Sequence, residues 1–261
     1  MADLFHKQAK EYADTRPTYP PELFQYIASK TPCHDLVWDV GTGSGQAIKP
    51  LSELYATVIG TDTSQNQLQH APSLPNVRYV QTPASIPLAS LPTLISPPST
   101  ADLVTIAQAL HWFDIPHFYT LVRTILKKPH GVIAVWCYTL PEVSETIDEI
   151  LGRLYKNSKP YWEKEREMVE ERYEGVEFPF EGEERVRFVA EKEMDLEGYF
   201  GYIRSWSAYG TAKVMGVELL NEEVVEGFGK AWGQDGGQRV ARFPVYLRIG
   251  RVGDCSEELE E

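Results

Sequence analysis

Three glycines that follow an apolar run, Gly41, Gly43 and Gly45, have the spacing of a ligand-binding loop. Glycine adopts positive φ readily and has no Cβ, so the backbone N–H groups around it can approach a ligand closely. A helix that begins just after the loop would direct its N-terminus at electron-rich groups of the same ligand. We therefore expect this loop, with Thr42 inside it, to bind a nucleotide-like ligand.

Asp62 is a second candidate ligand-binding residue. It ends the apolar run VIGTD and lies 21 residues after Gly41. An acid at this distance in a βαβ unit reaches the two hydroxyls of a ribose. Because tight turns also use glycine, the glycine loop and the acid together are more specific than the loop alone. They predict a ligand that contains a nucleoside.

Asp39 helps to decide which class of nucleotide ligand is bound. A dinucleotide fingerprint needs glycine at the third position of G-x-G-x-x-G, but Gln46 stands there and the glycines follow a G-x-G-x-G spacing. An ionised Asp39 two residues before Gly41 would also repel a pyrophosphate. A cationic cofactor would be stabilised by the same carboxylate, so the residues favour a cationic ligand over a dinucleotide.

The surrounding pattern predicts the elements that position these residues. Short β-rich runs alternate with helix-length stretches, which indicates βαβ units and a doubly wound parallel sheet. Helices are predicted to begin at Ser44, Ser64 and Asp114, whose polar side chains can cap an N-terminus. The predicted strands of this part of the chain are 36–40, 57–61, 77–81, 103–107 and 131–138.

The remainder of the chain is less regular. Residues 83–100 contain five prolines and predict a loop-rich crossover with at most one short helix. Charged helical patterns over 142–157 and 161–173 predict a helical insertion over about 142–185. The pattern then predicts strands at 187–194 and 243–252, helices at 196–206 and 222–232, and a mobile acidic tail at 253–261.

Composition excludes several classes of protein. The 261 residues carry a formal net charge of −13, which would repel the phosphate backbone of a nucleic acid. No apolar run approaches the ~20 residues of a membrane helix, and the N-terminus lacks the pattern of a targeting signal. We expect a cytoplasmic protein without a nucleic-acid or membrane partner, as a monomer or homodimer. Cys33, Cys137 and Cys255 are predicted to be reduced thiols packed as small apolar groups, and neither they nor the six histidines show the spacing of a metal site.

The segment DVGTGSG resembles the first motif of the class I S-adenosylmethionine-dependent methyltransferases, in which an acid precedes G-x-G-x-G. Asp62 matches the acid at the end of their second strand, and the resemblance covers roughly residues 5–138 well. It implies a Rossmann-like, doubly wound α/β fold whose seven-stranded sheet is mostly parallel with an antiparallel last strand. It also implies one domain over 1–252, with a cofactor half at about 30–140 and the helical insertion as a substrate cap.

The resemblance assigns roles to the residues of the first motifs. Asp39 and the loop Gly41–Gly45 would hold the methionine end of S-adenosylmethionine, and Asp62 would bind the ribose hydroxyls. Thr63 would lie beside the ribose and adenine.

The match can be narrowed to a subgroup. The segments YADTRPTYP, QTPASIP and AQALHWFD are similar to those of trans-aconitate methyltransferases and plant embryo-abundant-like methyltransferases. This similarity places Ala84 and Ser85 near the adenine and Gln108 beside the methionine moiety. Many relatives have an acid in place of Ser85.

His111 is the histidine placed where a catalytic base could act, because it follows the fourth strand in ALHWFD. One hypothesis is that it removes a proton from a hydroxyl or amine acceptor; the other is that it shapes the pocket, with Trp112 as a pocket wall. A carboxylate acceptor is ionised at neutral pH and needs no base. Holding donor and acceptor in line can then supply much of the catalysis.

The other predicted acceptor-binding residues lie in two segments. Tyr12, Arg16 and Tyr19 belong to the N-terminal segment that covers the ligands in relatives, and Arg16 could pair with a carboxylate. The segment YIRSWSAYG resembles a substrate-facing helix, and it predicts contacts from Arg204, Trp206 and Ser207. Helical spacing would place Tyr202, Trp206 and Tyr209 on one face.

These observations favour methylation of a small carboxylic acid. Residues 141–261 carry 28 acidic and 16 basic side chains, so an anionic acceptor would need local arginines to overcome the general repulsion. Methylation of another small metabolite at O, N or C, with His111 as base, remains an alternative. So does a non-catalytic protein that binds S-adenosylmethionine.

Overall fold

The computed structural model describes residues 16–233 and 236–254. It contains a seven-stranded sheet in the order β3-β2-β1-β4-β5-β7-β6. The first five strands pair in parallel, and β7 runs antiparallel to β5. The predicted mostly parallel sheet with an antiparallel last strand is confirmed. The strands are β1 Leu36–Val40, β2 Thr57–Asp62, β3 Val77–Gln81, β4 Leu103–Ala107, β5 Val132–Tyr138, β6 Glu181–Met194 and β7 Arg239–Arg251.

The helices follow the predicted alternation with the strands. Ser64 accepts a hydrogen bond from the N–H of Gln67, and Asp114 accepts one from the N–H of His117, so both predicted caps are confirmed. Short 3₁₀ turns occur at Leu88–Ser90, Leu110–Trp112 and Lys159–Tyr161. The α-helices are α1 Pro21–Lys30, α2 Ile48–Leu54, α3 Gln65–Gln69, α4 Leu91–Leu94, α5 Ile115–Ile125, α6 Glu145–Ser158, α7 Arg166–Glu170, α8 Leu196–Arg204, α9 Ser207–Val214 and α10 Glu222–Trp232.

The helices predicted from Ser44 and over 161–173 have different bounds in the structure. The helix predicted from Ser44 begins at Ile48, because the glycine loop extends through Gly45, whose φ of 84° is not helical. The helix predicted over 161–173 is reduced to α7, which is followed by two residues in the left-handed region, Arg172 at φ 57° and Tyr173 at φ 58°.

The segments after α7 also differ from the prediction. β6 begins six residues before the predicted 187, so the end of the predicted helical insertion is strand. The helix predicted over 196–206 ends at Arg204, and Trp206 is the N-cap residue of α9. Tyr202, Trp206 and Tyr209 therefore do not share one helical face, although all three are buried.

The described chain forms two compact units. The sheet unit comprises Tyr19–Tyr138, Met168–Phe188 and 245–254. The helical unit comprises 16–18, Thr139–Glu167 and 189–244 apart from 234–235. The core of the sheet unit consists of apolar side chains from β1, β4 and β5 packed against the helices that connect the strands.

Within 16–233 and 236–254, every helix is too short or too polar to cross a bilayer.

Candidate functional site

The glycine loop leaves β1 in a conformation that side chains would obstruct. Gly41, Gly43 and Gly45 have φ values of 64°, 58° and 84°. A Cβ on Gly41 would lie 2.7 Å from the Cβ of Ala109, and a Cβ on Gly45 would lie 2.7 Å from Cδ of Pro72. The loop thus needs glycine for its φ angles at all three positions and for its packing at the first and third.

Asp62 is held against this loop at the end of β2. Its Oδ2 accepts from the N–H of Gly43 at 2.9 Å, and its Oδ1 accepts from the N–H of Ser64 at 2.8 Å. The N–H of Thr42 donates to the carbonyl of Thr61 at 2.9 Å, which ties the loop to β2 a second time. Each carboxylate oxygen keeps a lone pair for a ligand hydroxyl. The predicted pairing of glycine loop and acid is thus present in the structure.

Asp39 is almost fully buried, with 1% of its surface exposed. Its Oδ2 accepts from the hydroxyl of Thr42 at 2.5 Å, and its Oδ1 accepts from the hydroxyl of Thr105 at 2.6 Å. Burial raises the pKa of Asp39 to about 6; the two hydroxyls oppose the rise, and the charge of Asp62 adds to it. A cation near Asp39 would favour the ionised carboxylate and lower this pKa.

The residues predicted near the adenine lie at the ends of β2 and β3. Thr63, Ala84 and Ser85 are exposed. Nε2 of Gln81 donates to the carbonyl of Thr63 at 3.0 Å and so ties the two strand ends together. The predicted adenine contacts of these three residues stay predictions.

Gln108 joins the end of β4 to the end of β5. Its backbone has a φ of 58°, which is uncommon for a residue other than glycine. Its Nε2 donates to the carbonyl of Tyr138 at 3.0 Å, and its Oε1 accepts from the N–H of Tyr138 at 3.1 Å. Both ends of the side-chain amide are thus bound to backbone. The predicted position of Gln108 beside the methionine moiety stays a prediction.

His111 lies in the 3₁₀ turn after β4 and is bound to a residue that the sequence analysis missed. Its Nδ1 shares a 2.9 Å hydrogen bond with the hydroxyl of Tyr173, 62 residues further along the chain. His111 is 6% exposed, whereas Trp112 is 55% exposed, with ring centroids 4.6 Å apart. No local signal pairs His111 with Tyr173, because only the packing of distant segments brings them together.

Tyr173 is in turn positioned by a buried arginine on β7. Nη1 of Arg248 donates to the carbonyl of Tyr173 and, at 2.8 Å, to that of Val176. Nε of Arg248 donates to Oε1 of Glu183 at 2.9 Å, which compensates the buried charge. These contacts fix the backbone of Tyr173, and through its hydroxyl they restrain the ring of His111.

The predicted acceptor-binding residues are divided between the two units. Tyr19 lies in the sheet unit, buried against Phe24, Trp136 and Tyr138. Tyr12 lies outside the described residues.

Arg16 and Arg204 lie in the helical unit. Nη2 of Arg16 donates to the carbonyl of Ser205 at 2.9 Å, and its guanidinium lies 5.6 Å from the ring centroid of Tyr202. Nη1 of Arg204 pairs with the carboxylate of Glu197. Arg204 therefore already has an anionic partner within the protein.

Trp206 and Ser207 both contact residues of the helical unit. Trp206 is 1% exposed and packs 5.6 Å from Trp162, centroid to centroid. The hydroxyl of Ser207 donates to Oε2 of Glu163 at 2.9 Å. Core packing thus accounts for Trp206, and the predicted acceptor contacts of Trp206 and Ser207 stay predictions.

One group of potential metal ligands occurs among the described residues, Cys33, Asp35 and Asp102. Nζ of Lys127 lies 2.8 Å from a carboxylate oxygen of Asp35 and 2.7 Å from one of Asp102, so an ammonium group already neutralises these acids. Cys33 is exposed rather than packed as predicted, and Cys137 is buried. Cys255 lies outside the described residues.

Comparison with known proteins identifies the class. Residues 38–135 match the family model of a methyltransferase domain. A curated relative from Dictyostelium discoideum, named as a methyltransferase, is 31% identical over 259 residues, which is 95% of each chain. A Saccharomyces cerevisiae protein named as an S-adenosylmethionine-dependent methyltransferase is 26% identical over 77% of this chain and 79% of its own. A solved structure described as a type II methyltransferase, from Anaeromyxobacter dehalogenans, has a TM-score of 0.80 and 31% identity, and the match covers 91% of this chain and 98% of that one.

The chain therefore belongs to the class I S-adenosylmethionine-dependent methyltransferases. It is an enzyme, and its cofactor is S-adenosylmethionine, the donor of the methyl group. The glycine loop fits this cofactor because its positive-φ glycines form a tight turn against Asp62, and glycine leaves the backbone of such a turn uncovered. The carboxylates of Asp62 and Asp39 are held beside that loop by backbone N–H groups and hydroxyls, respectively.

The raised pKa of Asp39 predicts a pH-dependent preference for the charged donor. The folded pKa of about 6 exceeds the ordinary 3.8, so Asp39 contributes stability below pH about 4 that is lost as the pH rises through about 6. As the pH rises through about 6, Asp39 becomes ionised. The carboxylate then favours binding of S-adenosylmethionine, which has a sulfonium charge, over S-adenosylhomocysteine, whose sulfur is neutral. We expect the affinity for S-adenosylmethionine, divided by that for S-adenosylhomocysteine, to rise by up to about tenfold between pH 5 and 7.5. Calorimetry at each pH measures both affinities.

The ratio reports on the sulfonium charge, because the two ligands differ only in the methyl group on sulfur. Asp39→Asn should flatten the dependence, whereas Asp35→Asn, an exposed acid beside β1, should leave it unchanged. A ratio in the wild-type protein that is constant across this range would contradict the prediction.

Proposed function

We propose that the enzyme transfers the methyl group to a carboxylate oxygen of a small acid. The proposal includes membership of the trans-aconitate and embryo-abundant-like subgroup, whose motifs YADTRPTYP, QTPASIP and AQALHWFD resemble segments of this chain. It also includes a cytoplasmic location, a small-molecule acceptor rather than a nucleic acid or membrane, and a monomer or homodimer.

The observation that carries the acceptor class is the setting of Arg16. Its guanidinium lies beside the Tyr202 ring and is anchored to the carbonyl of Ser205. A guanidinium presents parallel N–H donors that match the two oxygens of a carboxylate. A local cation is needed because residues 141–261 are strongly acidic.

The acceptor class can be tested by the chemistry of the product. Purified enzyme is incubated with donor labelled at the methyl group and with a panel of small mono-, di- and tricarboxylic acids. A methyl ester releases labelled methanol in mild alkali, whereas methyl ethers, amines and C-methyl products do not. Label that is transferred but stable to alkali would overturn the carboxylate proposal.

The hydrogen bond between His111 and Tyr173 favours a second candidate function. A tyrosine hydroxyl on Nδ1 fixes the orientation of the imidazole, which is the arrangement that a general base needs. In this alternative, His111 removes the proton from a hydroxyl, amine or carbon acceptor during transfer.

Substitution of His111 distinguishes the two candidates. Because a carboxylate has no proton to remove, we expect His111→Ala to change kcat less than about tenfold. Loss of a general base would lower kcat by ~10²–10⁴. Tyr173→Phe removes the hydroxyl that is bonded to His111, so it should change kcat in the same direction as His111→Ala under either hypothesis. Tyr119→Phe is its matched control, since Tyr119 is also buried but donates to the carbonyl of Glu177.

A further inference from the structure

We propose that Arg166 forms the anion-binding site for the acceptor, with Arg16 beside it and aromatic side chains as its walls. The inference rests on the proposed carboxylate acceptor and names the site that would recognise it. Arg166 is the first residue of α7 and belongs to the helical unit, as does Arg16. Arg166 lies in a charged run typical of a solvated helix, which gives no sequence signal for such a role.

The surroundings of Arg166 are aromatic rather than acidic. Its Cζ lies 4.8 Å from the ring centroid of Trp162, and its Nε lies 3.4 Å from the hydroxyl of Tyr155, a long hydrogen bond. The ring of Trp206 packs against both Tyr155 and Trp162, with centroids 5.7 and 5.6 Å away. Stacking on Trp162 holds the guanidinium plane while most of its N–H donors keep their hydrogen-bonding capacity.

Arg166 makes no ion pair with any carboxylate in the described part of the chain. Glu163, three residues earlier, instead accepts a hydrogen bond from Ser207. Two arginines of the same unit, by contrast, have an acidic partner: Arg204 pairs with Glu197, and Arg242 with Glu191. Hydroxyl and ring dipoles, rather than a carboxylate, face this partly buried charge. An anionic ligand would supply the missing charge.

The charge of Arg16 reinforces this site. Burial acts to lower the pKa of Arg166, and so does the positive charge of Arg16. The hydroxyls of Tyr155 and Tyr202 outweigh both effects, so the pKa of Arg166 lies above its ordinary value. An anion that binds Arg166 would also be attracted by the guanidinium of Arg16. Nζ of Lys192 donates to the carbonyl of Arg16 at 2.9 Å, which helps to position the backbone of Arg16.

The donor set suits a carboxylate on a small organic molecule. A guanidinium presents parallel N–H donors that match the two oxygens of a carboxylate. Tryptophan and tyrosine rings around it can cover an apolar or planar ligand body. Such a local positive site would attract an anion in spite of the net charge of −13.

Binding can be measured without turnover. Trp162 lies beside Arg166, so its fluorescence reports a ligand there, and calorimetry gives the affinity. The full-length protein, saturated with S-adenosylhomocysteine, is titrated with succinate, benzoate, tricarballylate and inorganic phosphate. We expect at least one carboxylate to bind more tightly than phosphate. Arg166→Met should weaken it by about 10- to 100-fold, and Arg166→Lys by less.

Arg153→Met is the matched control, because it removes the same charge from an exposed position on α6. It should change the affinity less than twofold. Equal carboxylate affinity in the wild-type protein and Arg166→Met, or no binding of any carboxylate to the wild-type protein, would overturn the proposal. Phosphate binding more tightly than every carboxylate would overturn the ligand class.

Transfer assays separate this inference from the proposed function. If carboxylates bind through Arg166 but no methyl ester forms, the proposed function fails and the site stands. If methyl esters form with the same KM in the wild-type protein and Arg166→Met, the proposed function stands and the site fails.

Discussion

Asp62→Ala is expected to weaken binding of S-adenosylhomocysteine by about 100-fold. The substitution removes the carboxylate predicted to accept from the ribose hydroxyls. It also leaves the N–H groups of Gly43 and Ser64 without their present acceptor. S-adenosylhomocysteine has the ribose of the donor but no sulfonium charge, so calorimetry with this ligand measures the hydrogen bonds separately from attraction between charges.

Two further variants make the Asp62 result interpretable. Asp35→Ala removes the same charge from an exposed residue before β1 and should leave the affinity unchanged. Asp62→Asn keeps the shape but offers one acceptor oxygen, so its affinity should lie between those of the wild-type protein and Asp62→Ala. An affinity for Asp62→Ala within about threefold of the wild-type value would remove Asp62 from the donor site.

Gly41→Ala is expected to have the second large effect, on both stability and cofactor binding. At φ 64° an alanine costs ~1–2 kcal/mol relative to its preferred conformations. Its Cβ would also lie 2.7 Å from the Cβ of Ala109, so the loop or the segment after β4 must move. Overpacking of this kind costs ~1–3 kcal/mol more. We expect the free energy of unfolding in urea to fall by the sum, and S-adenosylhomocysteine affinity to fall more than tenfold.

Gly43→Ala separates backbone strain from the clash. Its φ of 58° imposes a similar conformational cost, but its Cβ would meet only Oε1 of Gln46, at an ordinary 3.5 Å. The difference between Gly41→Ala and Gly43→Ala therefore measures the contact with Ala109. Equal losses of stability in the two variants would show that this contact is unimportant.

The glycine loop and the acid beside it were largely predictable because their determinants are local. Glycines after an apolar run require a tight loop, and an acid at the next strand end in a parallel sheet lies beside that loop. The structure places Asp62 within hydrogen-bond distance of Gly43, as this reasoning implies. Ser64 and Asp114 were recognisable as caps because a cap acts on a residue three positions away.

The surroundings of His111 and Arg166 were less predictable because their contacts join distant segments. Tyr173, whose hydroxyl is bonded to His111, follows Arg172 in a pair of positive-φ residues, and neither of them is a glycine. Arg166 lies in a run of charges that looks like a solvent-facing helix. Its stacking on Trp162 depends on how the 3₁₀ turn before α7 folds, which residue types alone do not indicate.

Residue order alone thus determined the class of fold, the strand sequence β1 to β5 and the acids beside the glycine loop, since each depends on neighbours within one βαβ unit. Only the tertiary structure decided the partners of the remaining polar groups. In the folded protein, His111 is hydrogen-bonded to Tyr173, Arg204 forms an ion pair with Glu197, and aromatic rings surround Arg166. The physical reason is that burial and charge pairing are set by the packing of segments far apart in the chain, which no local periodicity encodes.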